Sequence, residues 1–306
     1  MTNVASAGSL LRVADLSGAT VRDLLDRAEW LRDYRREWPQ FERSVVGLFF
    51  LQPSTRTLLG FSAAAVRLGS GTVALSEARF AAGMSAAETL EDTVRSVAGY
   101  FDAIVLRHSD PRALTAAAEC ADAPVINAGS GEDEHPTQAL IDLFALRAVR
   151  REISGLRIGL VGDLAGSRAA HSLLRALSHF PPVEARLISP PERKLPEEIR
   201  RELPFALSDF DALCLEGLDA VYVAGLPEGA GEHRLSEDVR GRFRLTARNI
   251  RALAPHVPIL CPLPRVDEID SALDRDPRAR YFSQSCDGLF MRGAVLERAL
   301  SGRAFS

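Results

Sequence analysis

The sequence predicts an α/β fold of two doubly wound parallel-sheet domains joined by a long helix, with a C-terminal helix packing back on the first domain. Short apolar runs alternate twice with segments of helical periodicity, and strands that alternate with helices form parallel sheets covered by helices. A single long helical segment, from Pro136 to about Arg151, separates the two alternations. We therefore assign residues 1–140 to the first domain and residues 141–306 to the second.

The first alternation accounts for the elements of the first domain. It begins with a helix over residues 17–36, for which Thr20 is the expected N-terminal cap. Apolar runs then predict strands at 45–51, 72–75, 103–107 and 124–127. Helices are predicted to end at Leu68 and to span 88–100 and 111–121. Residues 77–87 show no clear period, and we expect them to form a loop.

The second alternation accounts for the second domain. It starts with a strand at 158–161, a turn at Gly162–Ser167 and a helix that ends near His179. Further strands are predicted at 184–188, 219–223 and 258–261. The last helix is predicted at Val295–Leu300, and we expect this terminal helix to return to the first domain.

The composition narrows the classes of function. A length of 306 residues, with 46% hydrophobic and 25% charged side chains, is typical of a soluble globular protein with room for two domains. The net charge of -4 provides no basic field to attract nucleic acid. No apolar run reaches the length of a membrane span. The four cysteines lack metal-ligand or disulfide spacing, which predicts a reduced, cytoplasmic setting without a metal site.

Polar residues follow four of the predicted strands, at the point where each strand ends. They are Ser54–Thr57, Arg107-His108, His135–Gln138 and Gly162–Arg168. Ligands of open parallel sheets bind beyond the carboxyl ends of the strands. Each cluster alone can also be explained as a surface charge or a helix start. Together, the arginines, hydroxyls, histidine and glutamine amide indicate a site for a phosphate dianion joined to a polar carbonyl group.

The segment Ser54-Thr55-Arg56-Thr57 carries most of this interpretation. It follows the apolar run Val45–Leu51 at a predicted strand-to-helix turn. Such a turn offers backbone N–H groups, hydroxyl donors and a guanidinium, all of which suit a phosphate. An ordinary Ser or Thr N-cap explains the same residues equally well, so this segment alone leaves both interpretations open.

Five segments, in the same order along the chain, resemble a known family. They are Ser54-Thr55-Arg56-Thr57, Arg107-His108, His135-Pro136-Thr137-Gln138, Gly162-Asp163-Leu164 with Arg168 and His171, and Pro262-Leu263-Pro264-Arg265-Val266-Asp267-Glu268-Ile269. From about residue 40 to 300 the chain resembles the aspartate/ornithine carbamoyltransferases, and specifically their aspartate branch. The resemblance implies a carbamoyl-phosphate-binding domain at 1–140 and an acceptor-binding domain at 141–306. It also implies a homotrimer or larger assembly, with active sites at subunit interfaces.

The resemblance implies roles for the residues of the first domain. Ser54, Thr55, Arg56 and Thr57 would bind the phosphate of carbamoyl phosphate, and Arg56 would stabilise charge on the departing phosphate. The carbamoyl oxygen would be polarised by Thr57 together with two further side chains, Arg107 and His135.

The resemblance also implies roles for the residues that would hold the carbamoyl amide and the acceptor. Gln138 and the carbonyl region of Pro262 and Leu263 would hold the carbamoyl NH2 group. Arg168 would bind a carboxylate of a small amine or amino-acid acceptor. Such a site works by positioning and charge stabilisation, and it needs no metal or cofactor.

The chain departs from the family pattern in the loop before Glu88. The family has Lys-Gly-Glu-Thr-Leu where this chain has Ala86-Ala87-Glu88-Thr89-Leu90, and the family serine on the same loop aligns with Ala82. In the family, the lysine reaches the active site of a neighbouring subunit. Lys194 is the single lysine among the 37 basic residues, so chemistry that requires a lysine is nearly excluded.

Three further departures fall in the acceptor domain. The aspartate branch has an arginine and a glutamine that hold the carboxylates of the acceptor, and these positions align with Gly225 and Pro227. Cys261 replaces the histidine that precedes Pro-Leu-Pro, and it is either a reactive thiol or, more often at a buried strand end, a packing residue. The sequence therefore predicts a carbamoyltransferase with an altered acceptor or reduced activity on aspartate. The alternative is a catalytically inactive homologue that acts as a binding or scaffolding subunit.

Overall fold

The computed structural model describes residues 8–76, 89–131, 133–227 and 235–305. The chain divides into two compact units, one formed by Met1–Leu140 with Asp287–Ser306 and the other by Ile141–Cys286. Each unit contains one parallel sheet, and the predicted α/β fold is confirmed. Within the described ranges, no helix combines the length and the hydropathy that a bilayer crossing requires. The loop predicted at 77–87, with Ala82 and Ala86, lies outside the described residues.

The first unit contains a four-stranded sheet in the order β2-β1-β3-β4. Its strands are β1 (Val45–Phe50), β2 (Gly71–Ser76), β3 (Ala103–His108) and β4 (Val125–Ser130). All three pairings are parallel, so the residues after each strand end lie along one edge of the sheet. Strand β4 extends to Ser130, three residues beyond its predicted end, because Ser130 still pairs with His108 after a shift in register.

Helices cover this sheet. In the described part of the first unit they are Gly18–Asp33, Thr55–Arg67, Leu90–Val97 and Arg112–Cys120. The helix Pro136–Arg150 begins in this unit and continues into the second. The cap of the first helix was predicted wrongly, since Ser17 accepts the backbone N–H of Thr20 at 3.1 Å. The serine three residues earlier therefore caps the helix, and Thr20 lies in its first turn.

The C-terminal helix, Tyr281–Leu300, packs back on the first unit as predicted. Glu297 accepts a 2.7 Å hydrogen bond from Arg27, and the rings of Phe290 and Trp38 meet edge to face at 6.3 Å. A Cβ at Gly293 would lie 2.7 Å from the Trp38 ring, so this glycine permits the close approach. The helix is much longer than the predicted Val295–Leu300, because polar and glycine positions before Val295 obscure its periodicity.

The second unit contains a five-stranded sheet in the order β7-β6-β5-β8-β9. Its strands are β5 (Leu156–Gly162), β6 (Val183–Ile188), β7 (Ala206–Phe210), β8 (Ala220–Gly225) and β9 (Ile259–Leu260). All four pairings are parallel. The described helices of this unit, besides the two shared with the first, are Arg168–Leu177, Glu197–Glu202 and Glu237–Phe243. Strand β7 was not predicted, because it is an edge strand whose residues are exposed or half-buried and form no apolar run.

Candidate functional site

The turn after β1 leads directly into the helix Thr55–Arg67. Ser54 occupies the N-cap position with an extended backbone, yet its side chain makes no capping hydrogen bond. Its hydroxyl instead donates to the Thr57 hydroxyl at 2.9 Å. The first turn of this helix contains no acidic residue. The N–H groups of the helix start are therefore available to an anion, and the simple N-cap interpretation of Ser54 does not hold.

Exposure divides the residues of this turn into two kinds. Thr57 is buried, at 5% exposure, whereas Thr55 and Arg56 are exposed and Ser54 is half-buried. A buried hydroxyl held by a neighbouring hydroxyl has a fixed position, and an exposed guanidinium can close over a ligand. The turn thus presents a fixed donor set together with one adaptable cation.

Gly129 brings Arg107 and His135 together. Its backbone has a φ of +116°, and a Cβ at this position would lie 2.5 Å from Arg107 Nη1 and 3.4 Å from His135 Cδ2. Arg107 lies near the end of β3, and its Nη1 donates to the Ala128 carbonyl at 3.1 Å. Arg107 and His135 are both only 7% exposed. A guanidinium and an imidazole therefore lie against one glycine, at the strand edge that also carries Ser54.

Asn127 holds the strand end that contains Gly129, and the sequence analysis missed this residue. Its side-chain oxygen accepts the Gly129 N–H at 2.7 Å, while its amide nitrogen donates to the Leu11 carbonyl at 2.8 Å and to Ser130 Oγ at 3.2 Å. Asn127 is 1% exposed. The signal was an amide side chain inside the apolar run of a buried strand, where a polar group must find partners.

The helix Pro136–Arg150 positions the next predicted residues. The Gln138 N–H donates to the His135 carbonyl at 3.0 Å, which closes the first turn. Thr137 Oγ1 lies 3.4 Å from His135 Nδ1, and both Thr137 and Gln138 are buried. His108 differs, because its Nδ1 accepts the Asp110 N–H at 2.9 Å and so stabilises the turn after β3. We conclude that His108 supports the backbone of this turn.

In the second unit, Arg168 begins the helix that follows β5. Ser167 caps this helix by accepting the Ala170 N–H at 3.4 Å, and Arg168 is half-buried. His171 is 3% exposed, and its Nε2 lies 2.7 Å from the Leu164 carbonyl. The histidine thereby fixes the Gly162–Ser167 turn from which Arg168 projects.

Two glycines meet where β5 and β8 end. A Cβ at Gly162 would lie 2.1 Å from the Gly225 carbonyl oxygen, and Asp163 N–H donates to that same oxygen at 2.8 Å. Gly162 has a φ of +121° and Gly225 a φ of +88°. The backbone at position 225 therefore has a left-handed conformation that favours glycine.

Arg240 joins two loops of the second unit. Its Nη1 donates to the Pro227 carbonyl at 2.9 Å, and its Nε donates to Asp267 at 2.8 Å. This arginine holds the pKa of the Asp267 carboxyl below its usual range through hydrogen bonding. One guanidinium thus connects Pro227 to Asp267, which lies four residues after Leu263. Leu263 itself has a φ of +55°, which is uncommon for a residue with a side chain.

Cys261 belongs to the core of the second unit. It is 2% exposed and lies in the main apolar cluster. Burial raises the pKa of its thiol to about 12, so the thiol is neutral near pH 7 and is a poor nucleophile. Of the two interpretations of Cys261, the environment favours packing.

A buried polar network supports the Cys261 backbone. Gln284 accepts the Cys261 N–H at 2.9 Å and donates to Asp142 at 2.6 Å, and Asp142 accepts the Tyr222 hydroxyl at 2.9 Å. Burial raises the pKa of Tyr222 well above its ordinary value, and the Asp142 carboxylate adds to the shift. Within the described ranges, no three His, Cys, Asp or Glu side chains are grouped as metal ligands.

Comparisons with known proteins show the family to which the chain belongs. The carbamoyl-P binding domain of aspartate/ornithine carbamoyltransferases matches residues 9–148, and the Asp/Orn binding domain of that family matches residues 154–299. The aspartate carbamoyltransferase catalytic subunit of Haloquadratum walsbyi is 39% identical over 96% of this chain and 98% of its own length. The corresponding subunit of Methanopyrus kandleri is also 39% identical, over 96% and 97%.

Solved structures extend the similarity to the fold. The catalytic subunit of M. jannaschii aspartate transcarbamoylase superposes with a TM-score of 0.88 at 34% identity, covering 96% of this chain and 98% of that one. Aspartate transcarbamoylase from Trypanosoma cruzi, in complex with carbamoyl phosphate and aspartate, gives a TM-score of 0.87 at 30% identity, covering 96% of both chains. The chain therefore belongs to the aspartate/ornithine carbamoyltransferase family.

Proposed function

We propose that this protein transfers the carbamoyl group of carbamoyl phosphate to the amino group of a small amino acid, in the manner of an aspartate carbamoyltransferase. The observation that carries the proposal is the start of the helix Thr55–Arg67, where hydroxyls and a guanidinium surround uncapped N–H groups without any acidic residue. Membership of the family supports the same conclusion. The Trypanosoma cruzi relative was solved with carbamoyl phosphate and aspartate bound.

In the proposed reaction the first unit binds the donor. The phosphate lies on the helix N-terminus, with the hydroxyls of Ser54, Thr55 and Thr57 as donors and Arg56 over its departing charge. Arg107 and His135, which both lie against Gly129, polarise the carbamoyl oxygen. The amine nitrogen of the acceptor bonds to the carbamoyl carbon, the bond from this carbon to the phosphate oxygen breaks, and the departing phosphate takes the proton that the amine loses. Fixed donors stabilise the charge that develops on the carbamoyl oxygen.

The remaining proposed roles concern the carbamoyl amide and the acceptor. Gln138 holds the carbamoyl NH2 group. Arg168 binds one carboxylate of the acceptor.

We propose that recognition of aspartate is weaker than in the family pattern. Position 225 has no side chain, and the proline at 227 offers neither a cation nor an amide. A charged hydrogen bond contributes about 1.5–3 kcal/mol, so losing contacts to one carboxylate lowers affinity by at least about tenfold. An acceptor with a single carboxylate, or one with a different second group, is accordingly expected to compete well with aspartate.

We also propose that the protein assembles as a homotrimer. Three apolar side chains on the helix Thr55–Arg67 and strand β2 are more than half exposed, namely Leu59, Val66 and Val73. Leu59 also lines a surface cavity of about 390 Å³, together with Phe50, Pro53, Ser54, Thr55, Leu58 and Ser76. Grouped exposed apolar side chains commonly mark a protein interface. Sedimentation equilibrium is expected to give three times the 33.2 kDa chain mass, and a monomer at micromolar concentration would contradict this assembly.

The experiment that tests the activity measures phosphate release and the N-carbamoyl product from carbamoyl phosphate with a panel of amines. The panel includes aspartate, glycine, β-alanine, glutamate and ornithine, and the product is identified by mass spectrometry. We expect turnover with at least one amino acid. Arg56→Met is expected to reduce kcat/KM by at least about a hundredfold, because this cation meets the departing charge.

Arg67→Met is the matched control, since Arg67 is exposed and lies at the last turn of the same helix. This variant is expected to retain full activity. Failure of every amine to react would refute the proposed activity. If the wild type then still bound inorganic phosphate, the non-catalytic scaffolding alternative would be favoured.

A further inference from the structure

Arg292, on the C-terminal helix, is a buried cation without a counter-charge. The side chain is 5% exposed, and its Nε is buried without a hydrogen-bond partner. Within the described ranges, neither Arg292 nor Arg56 forms an ion pair with a carboxylate. The two arginines that follow it, Arg298 and Arg303, both form ion pairs with Asp23. A buried guanidinium without a carboxylate partner is costly and calls for an explanation.

The guanidinium of Arg292 lies directly on the helix Thr55–Arg67. A Cβ at Gly60 would lie 2.5 Å from Arg292 Nη1 and 2.9 Å from its Cζ, so only glycine leaves room at this position. The Cζ atom also lies 5.7 Å from the centre of the Phe61 ring, a distance at which the aromatic face attracts a cation. Gly60 is four residues after Arg56, and residues at this spacing share one face of a helix. Arg292 therefore contacts the helix one helical turn C-terminal to Arg56.

The electrostatic consequence is a concentration of positive charge at this helix start. Burial, and then repulsion from Arg56, lower the pKa of Arg292 to about 10, so the side chain remains charged near pH 7. The helix N-terminus adds its own positive partial charge, and the first turn contains no acidic residue. Side chains on a helix lean towards its N-terminus, and repulsion from Arg292 drives the Arg56 guanidinium further in that direction.

We propose that Arg292 is a positioning residue for the phosphate group of the donor, which holds Arg56 towards the helix N-terminus and adds a fixed positive charge behind it. This inference rests on the proposed function and extends the phosphate site to a residue of the C-terminal helix. Without an anion, the clustered cations destabilise the first unit. A phosphate dianion relieves this repulsion, and binding is therefore coupled to stability.

The test compares three full-length variants with the wild type. Arg292→Met removes the charge and keeps an unbranched apolar stem. Arg292→Lys keeps the charge, and Arg298→Met is the matched control, because Arg298 lies on the same helix but is paired with Asp23 at 2.7 Å. Calorimetry measures the Kd of inorganic phosphate, and thermal unfolding is followed with and without phosphate. Steady-state kinetics give the KM for carbamoyl phosphate with the best acceptor of the panel.

Arg292→Met is expected to weaken phosphate binding by about tenfold or more, which corresponds to about 1.4 kcal/mol. The KM for carbamoyl phosphate rises by a similar factor, and the ligand-free protein unfolds at the same or a higher temperature than the wild type. Arg292→Lys recovers most of the affinity, and Arg298→Met keeps the Kd of the wild type. A purely structural role predicts the opposite pattern, with a lower unfolding temperature and an unchanged Kd.

An unchanged phosphate Kd in Arg292→Met, with the wild type binding normally, would overturn the inference and leave the proposed function standing. If Arg292→Met failed to fold, an affinity of Arg292→Lys equal to that of an Arg56→Met variant would overturn it as well. A wild-type protein that bound neither phosphate nor carbamoyl phosphate would refute the proposed function and, with it, this inference.

Discussion

Replacement of Gly129 by alanine should disable the donor site while leaving the fold in place. The added methyl group would lie 2.5 Å from Arg107 Nη1, and the nearest atom of the His135 ring would be 3.4 Å away. An ordinary contact requires about 3.5 Å, so the guanidinium must move by about 1 Å. The His135 contact is tolerable, and the displacement therefore falls on Arg107.

The size of the effect follows from the contacts that Arg107 loses. Its hydrogen bond to the Ala128 carbonyl is 3.1 Å long and breaks when the guanidinium moves. A misplacement of about 1 Å in a catalytic group reduces the rate by about 10²-fold, and removal of one donor to a developing oxyanion reduces it by about 10²–10³-fold. We expect kcat/KM to fall by about 10²–10³-fold in Gly129→Ala.

Alanine with a positive φ also destabilises the fold, and the control separates this effect from the loss of activity. Gly155 has a φ of +76°, and a Cβ at this position would meet no atom within 4 Å. Both substitutions should lower the free energy of unfolding by about 1–2 kcal/mol for the unfavourable backbone. The assay is carbamoyl transfer with the best amino-acid acceptor, accompanied by urea unfolding of both variants. The reasoning is refuted if Gly129→Ala and Gly155→Ala have activities within about threefold of each other.

Three further predictions concern the second unit. Iodoacetamide should label the exposed Cys286 in the native protein and should label Cys261 only after unfolding. The reason is that Cys261 is 2% exposed and its thiol has a pKa of about 12. Rapid labelling of Cys261 in the native protein, detected by peptide mass spectrometry, would contradict this prediction. Asp142→Ala should lower the urea-unfolding free energy by about 3–5 kcal/mol, and Tyr222→Phe by about 1 kcal/mol, because the first leaves two buried donors unpaired, the Tyr222 hydroxyl and the Gln284 amide. Equal losses would argue against the network. Hydrogen bonding to its arginine partner lowers the pKa of Asp267, so its contribution to stability is present above the unfolded pKa and is lost as pH falls through the folded pKa. Asp267→Asn should therefore flatten the decline in the urea midpoint below about pH 4, and an unchanged decline would show that this ion pair adds no stability.

Most strands of the first unit could be predicted from the sequence because they are short, buried and apolar. Once a parallel sheet is inferred, residues after strand ends must share an edge, which placed Ser54 near Arg107 without any knowledge of distances. Strand β7 was missed for the converse reason, since an edge strand need not be apolar. The length of the C-terminal helix was missed because glycine and polar residues conceal a buried face.

The missing parts of the site depend on backbone angles and on contacts between distant segments. The φ of +116° at Gly129 is not encoded in a local pattern, and an amide within a buried strand signals a need for partners without showing that Asn127 supports Gly129. The contact of Arg292 with Gly60 could not be predicted from the sequence either, because more than two hundred residues separate the two positions. Sequence reasoning identified the substitution at Gly225, but only the structure shows that its backbone is left-handed.

Three features of the first unit are locally unfavourable for stability, and the binding of a phosphate would offset two of them directly. Ser54 occupies a cap position without capping, Gly129 adopts a conformation that leaves a guanidinium against bare backbone, and Arg292 is buried without a counter-charge. Natural sequences retain such features mainly at functional sites. A phosphate dianion would accept hydrogen bonds from the uncapped N–H groups and offset the clustered cations, while the glycine at 129 leaves room for the Arg107 guanidinium. The uncapped helix start and the buried cation thus support the proposed phosphate-bearing donor on grounds that do not depend on the relatives.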